Sequence, residues 1–221
     1  MELMKQTKMS CANCGGQKWH NVDEHRIKKI RLDPLDNKSK PMDMALCVDC
    51  GFVSYPNMYS SNEEILTYYR KAYRKPPSHF NLFTGERKNH YHLSFLNDLF
   101  LSWKEKGFDT PKIAEIGAAF GPTLNLMKHL FPKGEMYGTE ITTSFRRNAF
   151  HEYGIKLDEE LDETKKYDLM ISYKVLEHQM NPLSELEKYQ RCLSDDGKLY
   201  ISVPTWFNSL CNFGLPGFDL E

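Results

Sequence analysis

An α/β fold built on a parallel sheet covered on both faces is predicted by two observations. Strand-like and helix-period segments alternate strictly from about residue 109 onward, and the strand-like ones are continuously apolar. A third observation, two matched Cys-x-x-Cys pairs ahead of that region, predicts a small module held by a metal rather than by a core. The chain has 221 residues, 40% hydrophobic and 13% aromatic, enough for one sizeable core and an appended module.

Residues 1–58 form the predicted N-terminal module: both cysteine pairs, much charge and little apolar periodicity. Residues 59–108 read as a helical connector or lid. Ser61-Asn62-Glu63-Glu64 fits a capping box, and a short helix follows through Tyr73. After Pro76-Pro77, the residues Leu93, Leu96, Leu99, Phe100 and Trp103 share one stripe of a helix over 91–107, with Gly107 as its stop. In the third part, 109–221, strands are predicted at 112–116, 135–140, 167–173 and 198–204, alternating with helices at 123–131, 143–154 and 183–193.

Formal charge is -1, so no global field draws the chain to nucleic acid or to an anionic membrane, although local patches remain open. Neither a signal-peptide core nor a run of membrane-spanning length is present, which predicts a soluble, cytoplasmic protein. Four of the six cysteines fall in the two pairs, and Cys192 and Cys211 stand alone. In a reducing compartment such pairs are metal ligands rather than a disulfide framework.

Cys11, Cys14, Cys47 and Cys50 supply four thiolates, which suits tetrahedral zinc, and Gly15 and Gly51 let each knuckle turn back so that amides face the sulfurs. With all four positions filled, zinc here is structural. A redox pair would instead be single and beside a βαβ unit. His20 and His25 are surplus ligands expected to be exposed, and the basic run "HRIKKIRL" reads as a solvated face or a phosphate contact.

The stretch "IAEIGAAFGP" places Gly117 and Gly121 between the first strand and a helix, where backbone approaches ligand in sheets of this class. A dinucleotide fingerprint needs a small residue at position 122, and Pro122 disfavours NAD. What remains is acidic-x-Gly-x-small-x-Gly, carried by Glu115, Gly117, Ala119 and Gly121. Alanine at 119 is accommodated at negative φ and obstructs a turn requiring positive φ. Taken alone, the loop also fits a merely tight strand-helix turn. Downstream stand Tyr167-Asp168, "LMIS", Val175-Leu176-Glu177-His178, Pro182, Leu193, Asp196-Gly197 and "LYISVP", in that order. Asp168, opening its strand, reads as structural, satisfying nearby backbone donors.

Together these segments resemble the class I S-adenosylmethionine-dependent methyltransferases. The resemblance implies a Rossmann-like sheet and S-adenosylmethionine as cofactor. It implies that Glu115, Gly117, Ala118, Ala119 and Gly121 cradle the methionyl portion and ribose, and that Glu140 binds the ribose hydroxyls. Ala119 departs from the family's middle glycine. Asp158 and Glu159, near the third of the five strands that the resemblance implies, are candidates for the adenine amino group or for solvated surface, and Ser172 and Tyr173 for contacts beside the sulfonium end. His178 is either the catalytic base or an architectural residue. A divalent-metal site of related ubiquinone-pathway enzymes is not carried over, because Lys174 stands where a carboxylate ligand is needed.

With its cysteine module, the chain resembles more closely the bacterial sugar methyltransferases, including nucleotide-sugar C-methyltransferases. That implies a sugar or nucleotide-sugar acceptor, for which Tyr68, Tyr69, Tyr73, Arg70, Arg74, Arg87 and Lys88 are suitable, or else they pack and face water. An RNA methyltransferase and a non-catalytic module that kept the fold are the alternatives. The resemblance also implies two further strands after the fifth. The ending "PTWFNSLCNFGLPGFDLE" is too short for them, so a C-terminally incomplete sheet, from truncation or a split form, is expected. Its exposed edge would invite self-association.

Overall fold

Four parallel strands form the centre of the chain: β6 (Lys112–Ile116), β7 (Glu135–Thr139), β8 (Tyr167–Tyr173) and β9 (Leu193–Ser202), in the spatial order β7-β6-β8-β9. The computed structural model describes residues 10–21, 28–31, 39–42, 45–54, 62–71 and 82–203. Ser61, Tyr73, Arg74, His25, Cys211 and the segment 204–221 lie outside the described residues.

Ahead of the sheet, β1 (Trp19–Asn21), β4 (Ala45–Cys47) and β5 (Val53–Ser54) make a three-stranded antiparallel sheet, and β2 (Lys28–Arg31) pairs with β3 (Ser39–Met42). Two helices follow, α1 (Asn62–Lys71) and α2 (Leu82–Glu105). The helices α3 (Pro122–Leu130), α4 (Thr143–Tyr153) and α5 (Pro182–Cys192) then alternate with the central strands as predicted.

Period-two alternation divides the apolar strand residues between two layers. Ile113 of β6 and Leu169 and Ile171 of β8 meet Leu96 and Phe100 of α2 and Met127 of α3. Ala114, Ile116 and Met170 point the other way, toward Tyr189 and Cys192 of α5. Four residues of the stripe predicted for α2 thus share its inner face, with Leu99 and Trp103 packed on the same cluster as Leu96 and Phe100. Gly107, at φ 68, ends the helix, and the Phe108 amide bonds back to the Trp103 carbonyl at 2.8 Å.

Three boundaries differ from expectation. Helix α2 starts at Leu82, nine residues before the predicted start at Tyr91. The Asp196-Gly197 turn is absorbed into β9, which pairs at Leu193, loses register, and resumes at Lys198. Where a third strand was expected, near Asp158, the chain makes a single parallel bridge to Thr139.

Asp168 does what its position at a strand start suggests. One carboxylate oxygen accepts from the Lys112 amide at 2.8 Å and the other from the Ser194 hydroxyl at 2.9 Å, tying β8 to both neighbours.

Candidate functional site

The strand order reverses between β6 and β8, since β7 lies to one side of β6 and β8 to the other. In open parallel sheets the crevice at that reversal, outside the carboxyl ends, is where ligands bind. Two loops flank it, Gly117–Gly121 after β6 and Tyr173–His178 after β8, and they touch. A Cβ built on Gly117 would lie 2.5 Å from a Val175 methyl, and the backbone there has φ 64. Both facts require glycine.

Ala119 also has positive φ, 54, the conformation in which its methyl group is disfavoured. The loop nevertheless closes, because its amides find partners. Ala118 N–H donates to the Thr139 carbonyl at 2.8 Å, and Ala119 N–H donates to Glu140 Oε2 at 3.0 Å. The second Glu140 oxygen accepts from the Thr142 amide at 2.8 Å. Glu140, 8% exposed, is thus joined directly to the glycine loop from the end of the neighbouring strand. Each carboxylate oxygen has lone-pair capacity beyond one amide, so the pair of oxygens remains able to accept hydroxyl donors.

Glu115 is fully buried within β6, between Gly138 of β7 and Ile171 of β8, and Ala118 and Ser172 are fully buried beside the crevice. Burial of a carboxylate in mid-strand is an expensive placement for a residue with no more than a packing role. Tyr173 is half-buried, and the Lys174 ammonium lies 5.4 Å from its ring centre. Lys174 itself has φ 55, so non-glycine residues with positive φ occur in both loops of the crevice.

His178 ends a single 3-10 turn, Leu176–His178. Its ring centre lies 5.3 Å from that of Tyr69 in α1, and its Nε2 is 3.8 Å from Glu177 Oε1. Burial pushes the Glu177 carboxyl above the ordinary carboxylate range, against the opposing pull of Lys174.

Asp158 is exposed, but its backbone is fixed: the Glu140 amide donates to its carbonyl at 2.9 Å, and its own amide donates to Gly138 at 3.0 Å. Glu159 is engaged by two arginines. Arg70 donates to Oε1 at 2.5 and 3.1 Å, and Arg146 donates to Oε2 at 3.3 Å. Its carboxyl is held below the ordinary range, first by the Arg70 hydrogen bonds. Arg146 was not singled out from sequence. Its other nitrogen reaches the Glu140 and Ile141 carbonyls at 2.6 and 3.0 Å. An arginine on an amphipathic helix gives no signal of this, because the bonds depend on where the β7–α4 turn passes.

Distant from the crevice in sequence, the sulfurs of Cys11, Cys14, Cys47 and Cys50 lie within 4.8 Å of one another. The Cys11–Cys50 and Cys14–Cys47 distances are 3.7 and 3.6 Å. The two knuckles repeat the same backbone bonds. Gly15 N–H donates to Cys11 and Gly51 N–H to Cys47, at 2.8 and 2.9 Å, with both glycines at φ 75. The Gly16 amide points at the Cys14 sulfur at 3.4 Å. Trp19, Ala45 and Phe52 are the small apolar support beneath. His20, expected to be exposed, is half-buried in β1, where it pairs opposite Leu46 of β4.

A family model described as a methyltransferase domain matches residues 85–210, more than half of the chain. No curated protein matches the chain. Among solved structures, it is similar to an amino pentose methyltransferase from Micromonospora echinaspora, at 14% identity and TM-score 0.46, covering 60% of each chain. It is similar to a plantazolicin methyltransferase solved with a pentazolic desmethylPZN analog and SAH, at 17% identity and TM-score 0.45, covering 62% of this chain and 52% of that one. A third is coclaurine N-methyltransferase with N-methylheliamine and SAH, at 16% identity and TM-score 0.38, covering 47% of this chain and 34% of that one. The chain thus spans between about a third and three fifths of the length of these structures. No helix among the described residues is long and apolar enough to cross a membrane.

Proposed function

Because the chain belongs to the methyltransferase-domain family over residues 85–210, we propose that it transfers a methyl group from S-adenosylmethionine to a small-molecule acceptor, a sugar or nucleotide-sugar. The observation that carries the reading is the direct bond between the glycine loop and the strand-end acid, Ala119 N–H to Glu140 Oε2 at 3.0 Å. Such a pair meets at the ligand end of a parallel sheet.

In this reading Gly117, Ala118, Ala119 and Gly121 bring backbone close to the cofactor, with Glu115 supporting the loop from below. Glu140 accepts hydrogen bonds from vicinal hydroxyls. Ser172 and Tyr173 line the crevice where the acceptor meets the methyl donor. His178 takes a proton from the acceptor atom as that atom attacks. S-adenosylmethionine, when bound, supplies an electrophilic methyl carbon, and the chain's part is alignment and proton removal. Asp158 serves the adenine amino group. Glu159, engaged by Arg70 and Arg146, serves it through position rather than as a free acceptor.

The four cysteines are read as a structural zinc site. A zinc–sulfur tetrahedron with bonds of about 2.3 Å separates its sulfurs by about 3.8 Å, close to the 3.6 and 3.7 Å found for two of the pairs. Residues 1–58 are then the zinc ribbon, 59–108 the connector that contributes to the acceptor side, and 109–221 the cofactor-binding part. The sugar class of acceptor is supported by the resemblance to cysteine-module sugar methyltransferases. Self-association through β9, which pairs with β8 alone among the described strands, belongs to the same reading.

Turnover with radiolabelled S-adenosylmethionine tests it, offering a panel of deoxy-nucleotide-sugars against bulk RNA. Label on the sugars alone supports the proposal. Label on RNA alone replaces the acceptor, and binding without any transfer identifies a non-catalytic module.

A further inference from the structure

We propose that α1 is a positioning element of the site, held across the carboxyl ends of the strands by the chain Arg70–Glu159–Arg146 so that Tyr69 fixes the ring of His178. The inference rests on the reading of His178 and Glu140 given above. It concerns side chains that no sequence motif assigns to one another.

Helix α1 has ten residues, shorter than the roughly 12–15 at which isolated helices become even marginally stable. Contacts from elsewhere must therefore keep it helical, and three polar or aromatic ones reach three different segments. The Thr142 hydroxyl, after β7, donates to the Tyr69 carbonyl at 3.5 Å. The Tyr69 ring stands 5.3 Å from His178, after β8, with the planes tilted by 55°. Arg70 binds Glu159, one residue beyond the bridge at Asp158, through Nε and Nη2 at 3.1 and 2.5 Å.

Single exposed ion pairs hold geometry poorly. Here one carboxylate is shared, Oε1 with Arg70 and Oε2 with Arg146, and Arg146 is only 20% exposed. Arg146 is itself anchored to the Glu140 and Ile141 carbonyls and to the Thr143 hydroxyl. The chain of bonds therefore runs without a break from α1 to the turn that carries Glu140. Planar guanidinium groups suit this sharing, because each presents several donors in fixed directions. Tyr69 and Arg70 act through His178 and are positioning residues.

The test follows the imidazole C–H resonances of His178 by NMR in the full chain, assigned by their loss in His178→Gln. A neighbouring aromatic ring displaces such resonances, so Tyr69→Leu moves them and Tyr69→Phe leaves them in place. The decisive variant is Arg70→Met, which removes the bonds of Arg70 to Glu159 and leaves the Tyr69 ring intact. It moves the His178 resonances in the same direction as Tyr69→Leu, and about 1 M salt moves the wild-type resonances likewise, since screening shortens to about 3 Å. Resonances unmoved by Arg70→Met, in a protein where Tyr69→Leu does move them, overturn the ion-pair chain. Resonances unmoved by Tyr69→Leu overturn the ring contact. Absence of S-adenosylmethionine binding to wild type, measured by calorimetry on the same sample, defeats the methyl-transfer reading separately and leaves the NMR result to stand by itself.

Discussion

Ala119 holds a side chain in left-handed backbone, at φ 54, in the middle of the loop proposed above to cradle the cofactor. A left-handed L-residue is disfavoured by roughly 1–2 kcal/mol, and glycine removes that strain while adding back some chain entropy. Ala119→Gly should therefore raise stability by up to about 1 kcal/mol, read as a higher urea midpoint. Gly117→Ala should do the reverse and more strongly, because its new methyl group meets Val175 at 2.5 Å in addition to the positive φ of 64. Equal midpoints for both variants and wild type would show that the loop backbone is not as described. Residue types at this site were legible, since Gly117, Gly121 and Glu140 stand at motif spacing. The φ of Ala119 was not, because it is set by the partner of its amide, an acid 21 residues away. The same limit hid Arg146, whose two shortest bonds are to main-chain carbonyls that carry no residue-type signature.

At the scale of elements, strands β6 and β8 and helices α3 to α5 were legible because each buries an apolar pattern of matching period. The first turns of α2 were not, since Gly85-Glu86-Arg87-Lys88 carries no apolar stripe. Nor was the start of β9, where Ser194-Asp195-Asp196-Gly197 has the composition of a turn, yet Asp168 of β8 holds Ser194 at 2.9 Å. The buried side of β8 and α5 has a measurable consequence. Burial pushes the hydroxyls of Tyr167 and Tyr189 up to about 12 from an ordinary 10.0. Raised values in the folded state mean that their contribution is complete below pH 10.0 and is lost as pH rises toward about 12. Urea midpoints should accordingly hold level up to about pH 9 and fall steeply by about pH 11. Tyr189→Phe should make that fall shallower, and an unchanged slope would remove Tyr189 from the account.

At the scale of the whole molecule, the cysteine cluster and the parallel sheet draw on different sources of stability. The N-terminal sheet has a small apolar cluster, Cys11, Trp19, Ala45 and Cys47 with Phe52, while the central sheet is packed on both faces. On the zinc reading proposed above, a module with so little core depends on that metal. Chelation should remove one zinc per chain by mass spectrometry and quench the structured environment of Trp19, while the circular dichroism of the central helices persists. A single cooperative loss of all structure would mean that the module and the sheet are not separable. The measurement that bears most directly on the methyl-transfer account is a calorimetric titration of S-adenosylmethionine into wild type and Glu140→Ala. The account predicts saturable binding to wild type, weakened at least about tenfold in the variant, as follows from losing a charged hydrogen-bond acceptor. Equal affinity of the two proteins, or no binding to wild type, would contradict it.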